Sequence, residues 1–170
     1  MDALTCRFAT AADATAVAGL IDALDRYYLG EARAPGYART LAMVETVFAT
    51  REGTHFLLAS LGDRPVGVAC LAVLRPGHRL QGVVFVKDLF VLEALRGRGI
   101  GAAMLRAIAA FARDSGIGRI DLTTDMANAG ARRLYERLGA TRMEKVFYRF
   151  SLAGDALSTE HAEHDVEAAG

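Results

Sequence analysis

A run of β-prone residues, Gly82–Val91, passes through a short turn into Arg96-Gly97-Arg98-Gly99-Ile100-Gly101, and from Gly99 to Ser115 the pattern turns helical. Three glycines in five residues let the backbone curl tightly and let an anion approach the amide N–H groups. The helix N-terminus beside them carries partial positive charge, worth about 0.3–1 kcal/mol per nearby anion. Arg96 and Arg98 add full charges. A pyrophosphate is the guest that such a strand–turn–helix unit suits.

The rest of the chain must supply a sheet and helices around that unit. Leu4–Ala9 reads as a first strand. Thr10 and Asp13 form an aspartate variant of the capping box, and Val17, Leu20, Ile21, Leu24 and Tyr28 then recur at helical spacing over residues 11–28. Tyr37–Thr50 predicts a second helix with Leu41, Val44, Val47 and Phe48 on one side. His55–Leu61 and Pro65–Leu74 flank Gly62-Asp63-Arg64, a hairpin-type turn, and with Gly82–Val91 they make an antiparallel meander.

After the glycines the order becomes α/β. The helix to Ser115 buries Met104, Leu105, Ile108, Phe111 and Ala112. Ile117–Asp125 is a strand, Ala129–Leu138 a short helix closed by Gly139, and Ala140–Phe150 supplies one or two final strands.

Composition narrows the function classes. At 170 residues and 52% hydrophobic, the chain holds one domain, over residues 1–151, and is too apolar for a disordered one. Residues 152–170 carry Asp155, Glu160, Glu163, Asp165 and Glu167 with no Lys or Arg, and predict an acidic disordered tail. The body is left with 20 basic against 15 acidic residues. That excess suits a polyanionic small molecule and is too scattered for nucleic acid.

No apolar run approaches the ~20 residues that span a bilayer, so no membrane partner is expected. The N-terminal residues lack a basic segment and an apolar core, which predicts no secretory leader and a cytoplasmic location. Cys6 and Cys70 make no CxxC pair, and His161 with His164 has no third partner, so no metal is expected.

Gly97-Arg98-Gly99-Ile100-Gly101-Ala102 also satisfies the dinucleotide pattern GxGxxG/A, which keeps an NAD(P)-dependent oxidoreductase as an alternative. The five residues Leu92–Arg96 before the first glycine and the antiparallel strands upstream count against it.

Arg96-Gly97-Arg98-Gly99-Ile100-Gly101 resembles the Arg/Gln-x-x-Gly-x-Gly/Ala motif of the GNAT (Gcn5-related) N-acetyltransferases. Lys87-Asp88-Leu89-Phe90-Val91 resembles the end of the strand before it. A second signature appears in Asn128, Ala131, Leu134, Tyr135, Glu136 and Gly139. The likeness runs from Leu4 to Phe150.

The resemblance implies an α/β (α+β) fold: a mixed, largely antiparallel sheet flanked by helices and splayed between strands 4 and 5, with acetyl-CoA in the cleft. It implies that the backbone of Leu89, Phe90 and Val91 follows the pantetheine arm. The amides of Gly97, Arg98, Gly99, Ile100, Gly101 and Ala102 would wrap the pyrophosphate, with Arg96 at the loop entrance. Asn128 would bond the pantetheine region and Tyr135 would approach the sulfur. A strand bulge is expected at Asp88, and a homodimer is an expectation of the same kind.

The implied reaction is direct attack of a primary amine of a small molecule on the thioester. It needs a proton acceptor for the ammonium and a donor to the leaving thiolate. Tyr135, a phenol with reference pKa about 10, is the candidate donor. Many relatives carry Glu where Lys87 stands here, which leaves Asp88 as the nearest candidate base; Asp22, Asp25, Glu31 and Asp125 are further acids on the acceptor side. Tyr27, Tyr28 and Glu31 are candidate acceptor contacts, aromatics beside a carboxylate suiting a cation. A non-catalytic acetyl-CoA-binding regulatory module is the other alternative.

Overall fold

The structure, a computed structural model, describes residues 2–50, 53–76 and 81–150. The acidic tail expected at 152–170 lies outside the described residues. Among the described residues every helix and strand precedes Ala140.

Five strands form one sheet in the order β1-β2-β3-β4-β5. They are β1 (Leu4–Phe8), β2 (Thr54–Leu61), β3 (Arg64–Leu74), β4 (Val83–Val91) and β5 (Ile120–Leu122). The first four pair antiparallel, and β5 joins β4 in parallel. The turn between β2 and β3 is Gly62-Asp63, with Gly62 at φ +55° as a tight hairpin requires.

Helices cover both faces. A 3-10 turn at Ala11–Asp13 leads into α1 (Ala14–Leu29), followed by α2 (Tyr37–Thr50), α3 (Ile100–Asp114) and α4 (Ala129–Arg137). The Asp13 carboxylate accepts from the Thr10 N–H at 2.8 Å and takes a bidentate grip from Arg7. The expected cap therefore also ties β1 to the helix entry, and Arg7 holds the Asp13 carboxyl well below the usual range.

Two cores result from the alternation of strand side chains. On one face Val17, Ala18, Leu20 and Leu24 of α1 and Val44 of α2 pack on Phe56, Leu58, Val68 and Phe90. On the other, Ile100, Met104, Ile108 and Ala112 of α3 pack on Leu57, Ala59, Ala69, Leu71, Val84 and Val86. Each fully buried Leu, Ile or Met contributes about 1.5–3 kcal/mol of transfer free energy. Among the described residues no helix is long and apolar enough to cross a membrane.

Register decides where the sheet opens. Across β3 and β4, Cys70 faces Asp88 but the next residue, Leu71, faces Val86, so Lys87 is the extra residue of a β-bulge. Before it, Val84 and Val86 point to the α3 core. After it the phase is shifted: Leu89 and Val91 continue toward α3, while Phe90 enters the α1 core. The pairing of β4 with β5 covers Val84–Val86 and stops one residue before the bulge. The expected splay between strands 4 and 5 is present, and β5 is three residues long rather than the nine expected because its partner turns away.

Two other expectations need correction. Tyr28 keeps the helical phase of α1 yet is 58% exposed, because the last turn, Arg26–Leu29, lies outside the packed face. Residues 140–150 form no strand, and every one of them is exposed. Met143, Val146, Phe147, Tyr148 and Phe150 give this segment β propensity, but a strand needs a neighbour to take its backbone groups, and it has none among the described residues.

Gly67 of β3 marks the tightest packing near the opening. A Cβ there would lie 3.0 Å from the Met104 sulfur and 3.0 Å from the Phe90 carbonyl oxygen, which is backbone and cannot yield. Gly67→Ala should therefore cost about 1–3 kcal/mol, read as a lower urea midpoint with an unchanged m-value.

Candidate functional site

The open part of β4 runs straight into the glycine loop. A 3-10 turn, Glu93–Leu95, follows Val91, then Arg96 in extended conformation, then Gly97 at φ +77° and Gly99 at φ +81°. Nothing lies within 4 Å of a Cβ built on Gly97 or Gly99, so backbone conformation alone demands glycine at these two. Gly101 is required for a different reason: its Cβ would meet Leu134 Cδ2 at 3.1 Å, so its absence lets α4 lie against the start of α3.

The first bond of helical pattern runs from the Ala103 N–H to the Gly99 carbonyl at 3.0 Å, leaving the amides of Ile100, Gly101 and Ala102 without helical partners. These amides lie at the positive end of the 15-residue α3, an arrangement whose charge suits an anion. A hollow of about 280 Å³ reaches the loop at Arg98 and Ile100, with Asp2, Leu4 and Leu61 as its other walls.

Arg96 is engaged on two sides. Its Nε donates to the Val91 carbonyl at 3.1 Å, and its guanidinium carbon lies 4.3 Å from the Tyr27 ring centre and 5.6 Å from that of Phe90. Tyr27 in turn meets Tyr28 edge-on at 5.1 Å. Of the two tyrosines expected at the acceptor side, Tyr27 lies 6.4 Å from Phe90 of the open strand and gives a ring face to Arg96. Glu31, the third of that group, is ion-paired with Arg26 and exposed.

Tyr135, on α4, is half-buried, and burial pushes its phenol above the usual value, with the nearby Tyr28 adding to the effect. The hydroxyl is thus protonated at neutral pH, as a proton donor must be. Asn128 caps α4, its side-chain oxygen accepting from the Ala131 N–H at 3.1 Å. Its amide nitrogen is the end left to meet a ligand.

The carboxylates differ in how they are held. Asp88 is paired with Lys87 at 2.8 Å, and Asp22 accepts from Arg26 at 2.8 Å, with its second oxygen buried and unpartnered among the described residues. Among the described residues Asp25 holds no ion pair. Burial raises its carboxyl, the Asp88 charge raises it further, and Lys87 partly offsets both. Composition could not single out Asp25 from the other acids, because its distinction comes first from burial and then from the charge of Asp88. Cys70, opposite Asp88, has its thiol pushed up by burial and is a poor nucleophile.

The sequence profile of the Acetyltransferase (GNAT) family matches residues 18–140. This chain belongs to the GNAT acetyltransferase family.

Similar proteins include an uncharacterised N-acetyltransferase of Methanocaldococcus jannaschii, 31% identical over 97 residues, covering 56% of this chain and 43% of that one. The type 1 aminoglycoside N(6')-acetyltransferase of Serratia marcescens is 27% identical over 115 residues, 65% of this chain and 79% of that one. Among solved structures, an integron cassette protein from the mobile metagenome of V. cholerae superposes with a TM-score of 0.80 at 27% identity, over 87% of this chain and 92% of that one. The match spans 43%, 60% and 48% of the length of three curated relatives, about half of each. In this GNAT family chain the matched residues take in the open strand, the loop and α4, and stop at residue 140.

The raised Asp25 carboxyl has a stability consequence with a definite sign. Its charge is disfavoured in the folded state, so the penalty is complete above its raised folded pKa and gone below the unfolded value near 3.9. Asp25→Asn should raise Tm at pH 7, and the gain should shrink as pH falls toward 4. Thermal melts across that range check this, and a constant difference contradicts the placement.

Proposed function

We propose that this chain transfers an acetyl group from acetyl-CoA directly to a primary amine of a small molecule. The observation that carries the reading is the splay: the unpaired edge of β4 beyond Lys87 leads without interruption into a loop of free amides at a helix start. Membership of the GNAT family supports the donor, and the aminoglycoside-acetylating relative supports a small cationic acceptor.

In this reading the backbone of Leu89, Phe90 and Val91 aligns the pantetheine arm as an added strand would. The amides of Gly97 to Ala102, with Arg96 and Arg98, hold the pyrophosphate, and the amide nitrogen of Asn128 bonds the arm beyond β4. The neutral amine attacks the thioester carbonyl carbon, the C–S bond breaks, and the thiolate takes the Tyr135 hydroxyl proton. The proton lost by the amine passes to the carboxylates opposite, Asp88 as expected from the sequence and Asp25 beside it. Lys87 pairs with Asp88 at 2.8 Å beside that path. Tyr28 stands between the acceptor side and Tyr135. A homodimer belongs to the same reading, on the family resemblance alone.

Excess acetyl-CoA, at ~100 times its Kd, should stabilise the protein by about 2.7 kcal/mol in a melting scan, and NADPH should not. A shift with NADPH instead returns the loop to the dinucleotide reading. Thiol release should follow with a panel of a diamine, an aminoglycoside, an amino acid and a peptide N-terminus. Tyr135→Phe should lower kcat by about 100-fold with little change in the KM for acetyl-CoA. Binding without thiol release from any amine would make the chain a regulatory acetyl-CoA module.

A further inference from the structure

We propose that Tyr27 is a positioning residue for the cofactor loop, acting through Arg96 rather than by touching the acceptor. The proposal rests on the acetyltransferase reading for the identity of the loop's ligand.

The glycine loop has little packing of its own. Gly97 and Gly99 have open space where side chains would be, and Arg98 is exposed. Leu95 before the loop and Ile100 after it pack on the α3 core, and Arg96, immediately before Gly97, ties the loop's start to β4 and α1. Its Nε–H to the Val91 carbonyl closes the turn between strand end and loop. One donor out of five is consumed by that bond. The four Nη–H donors have no protein acceptor among the described residues, which leaves them for phosphate oxygens.

A long guanidinium side chain on an exposed residue samples many rotamers unless something holds it. Here two rings do. Phe90 is 5% exposed and belongs to the α1 core, so its position is fixed by packing. Tyr27 meets an adjacent flank at 4.3 Å, its ring tilted 53° to that of Phe90 with centres 6.4 Å apart. Tyr27 is itself 50% exposed, so core packing does not account for its placement. Its ring serves as a wall that fixes the plane of the guanidinium. Through this contact the last turn of α1, on the acceptor side, sets the aim of a group on the cofactor side.

A double-mutant cycle tests the link, with acetyl-CoA Kd read by titration calorimetry and Tm read without ligand. Tyr27→Leu should weaken acetyl-CoA binding about 5- to 10-fold, and Tyr27→Phe, which keeps the ring face, should stay within about 2-fold of wild type. In the Arg96→Met background Tyr27→Leu should add less than about 2-fold, because the two substitutions remove one device. A residue that only supported the fold would lower Tm and leave Kd alone. Equal effects of Tyr27→Leu in both backgrounds, or none in either, overturn the proposal while the acetyltransferase reading stands. Wild-type protein that gives no heat with acetyl-CoA overturns that reading, and the proposal falls with it.

Discussion

One extra residue in one strand governs the rest of this structure. Lys87 has no partner across β3, and a ladder that gains a residue on one side must bend and change phase. Three consequences follow from that single irregularity. Pairing with β5 ends at Val86, which exposes the backbone of the strand beyond it. Phe90 is delivered to the α1 core while Leu89 and Val91 stay with the α3 core, so the strand remains anchored on both faces where it has lost a neighbour. Asp88 comes within electrostatic reach of Asp25 on α1. A regular strand would have left Val84, Val86, Asp88 and Phe90 on one face and driven a carboxylate into the α3 core.

The glycine loop beyond that opening separates two demands that the sequence writes with one letter. Gly97 and Gly99 satisfy conformation, and Gly101 satisfies space for Leu134 of α4. The second matters for chemistry as much as the first. The approach of α4 to α3 is what carries Tyr135 toward the aromatic pair at the end of α1, where Tyr28 influences its titration.

How much of this the sequence revealed depends on how local the cause is. The capping box at Thr10, the hairpin at Gly62, and the starts of α3 and α4 rest on neighbours within a few residues, and the structure places them within a residue or two of the expected positions. The bulge was legible only as an implication of the family resemblance, since register is a relation between β3 and β4 that neither strand states alone. Asp25 could not be separated from Asp22 or Glu31 by composition. Arg96 read correctly as a loop residue, but its partner Tyr27 belongs to a helix far earlier in the chain. Residues 140–150 show the opposite failure, in which local propensity was real and the partner strand was missing.

The contrast between Asp25 and Asp88 shows a carboxylate held at some expense of stability. Both carboxylates lie where α1 crosses the bulge, but Lys87 compensates Asp88 directly and Asp25 only at a distance. A fold selected for stability alone would give Asp25 a cation or replace it, because a half-buried charge beside another of the same sign is unfavourable on two counts. A site that must take a proton from an ammonium has the opposite need. In the proposed reading a raised proton affinity suits the acceptor, and a half-buried carboxylate beside another of the same sign has it. In the proposed reading an arriving ammonium would supply positive charge beside Asp25, so the cost of that half-buried charge becomes part of the affinity for the acceptor.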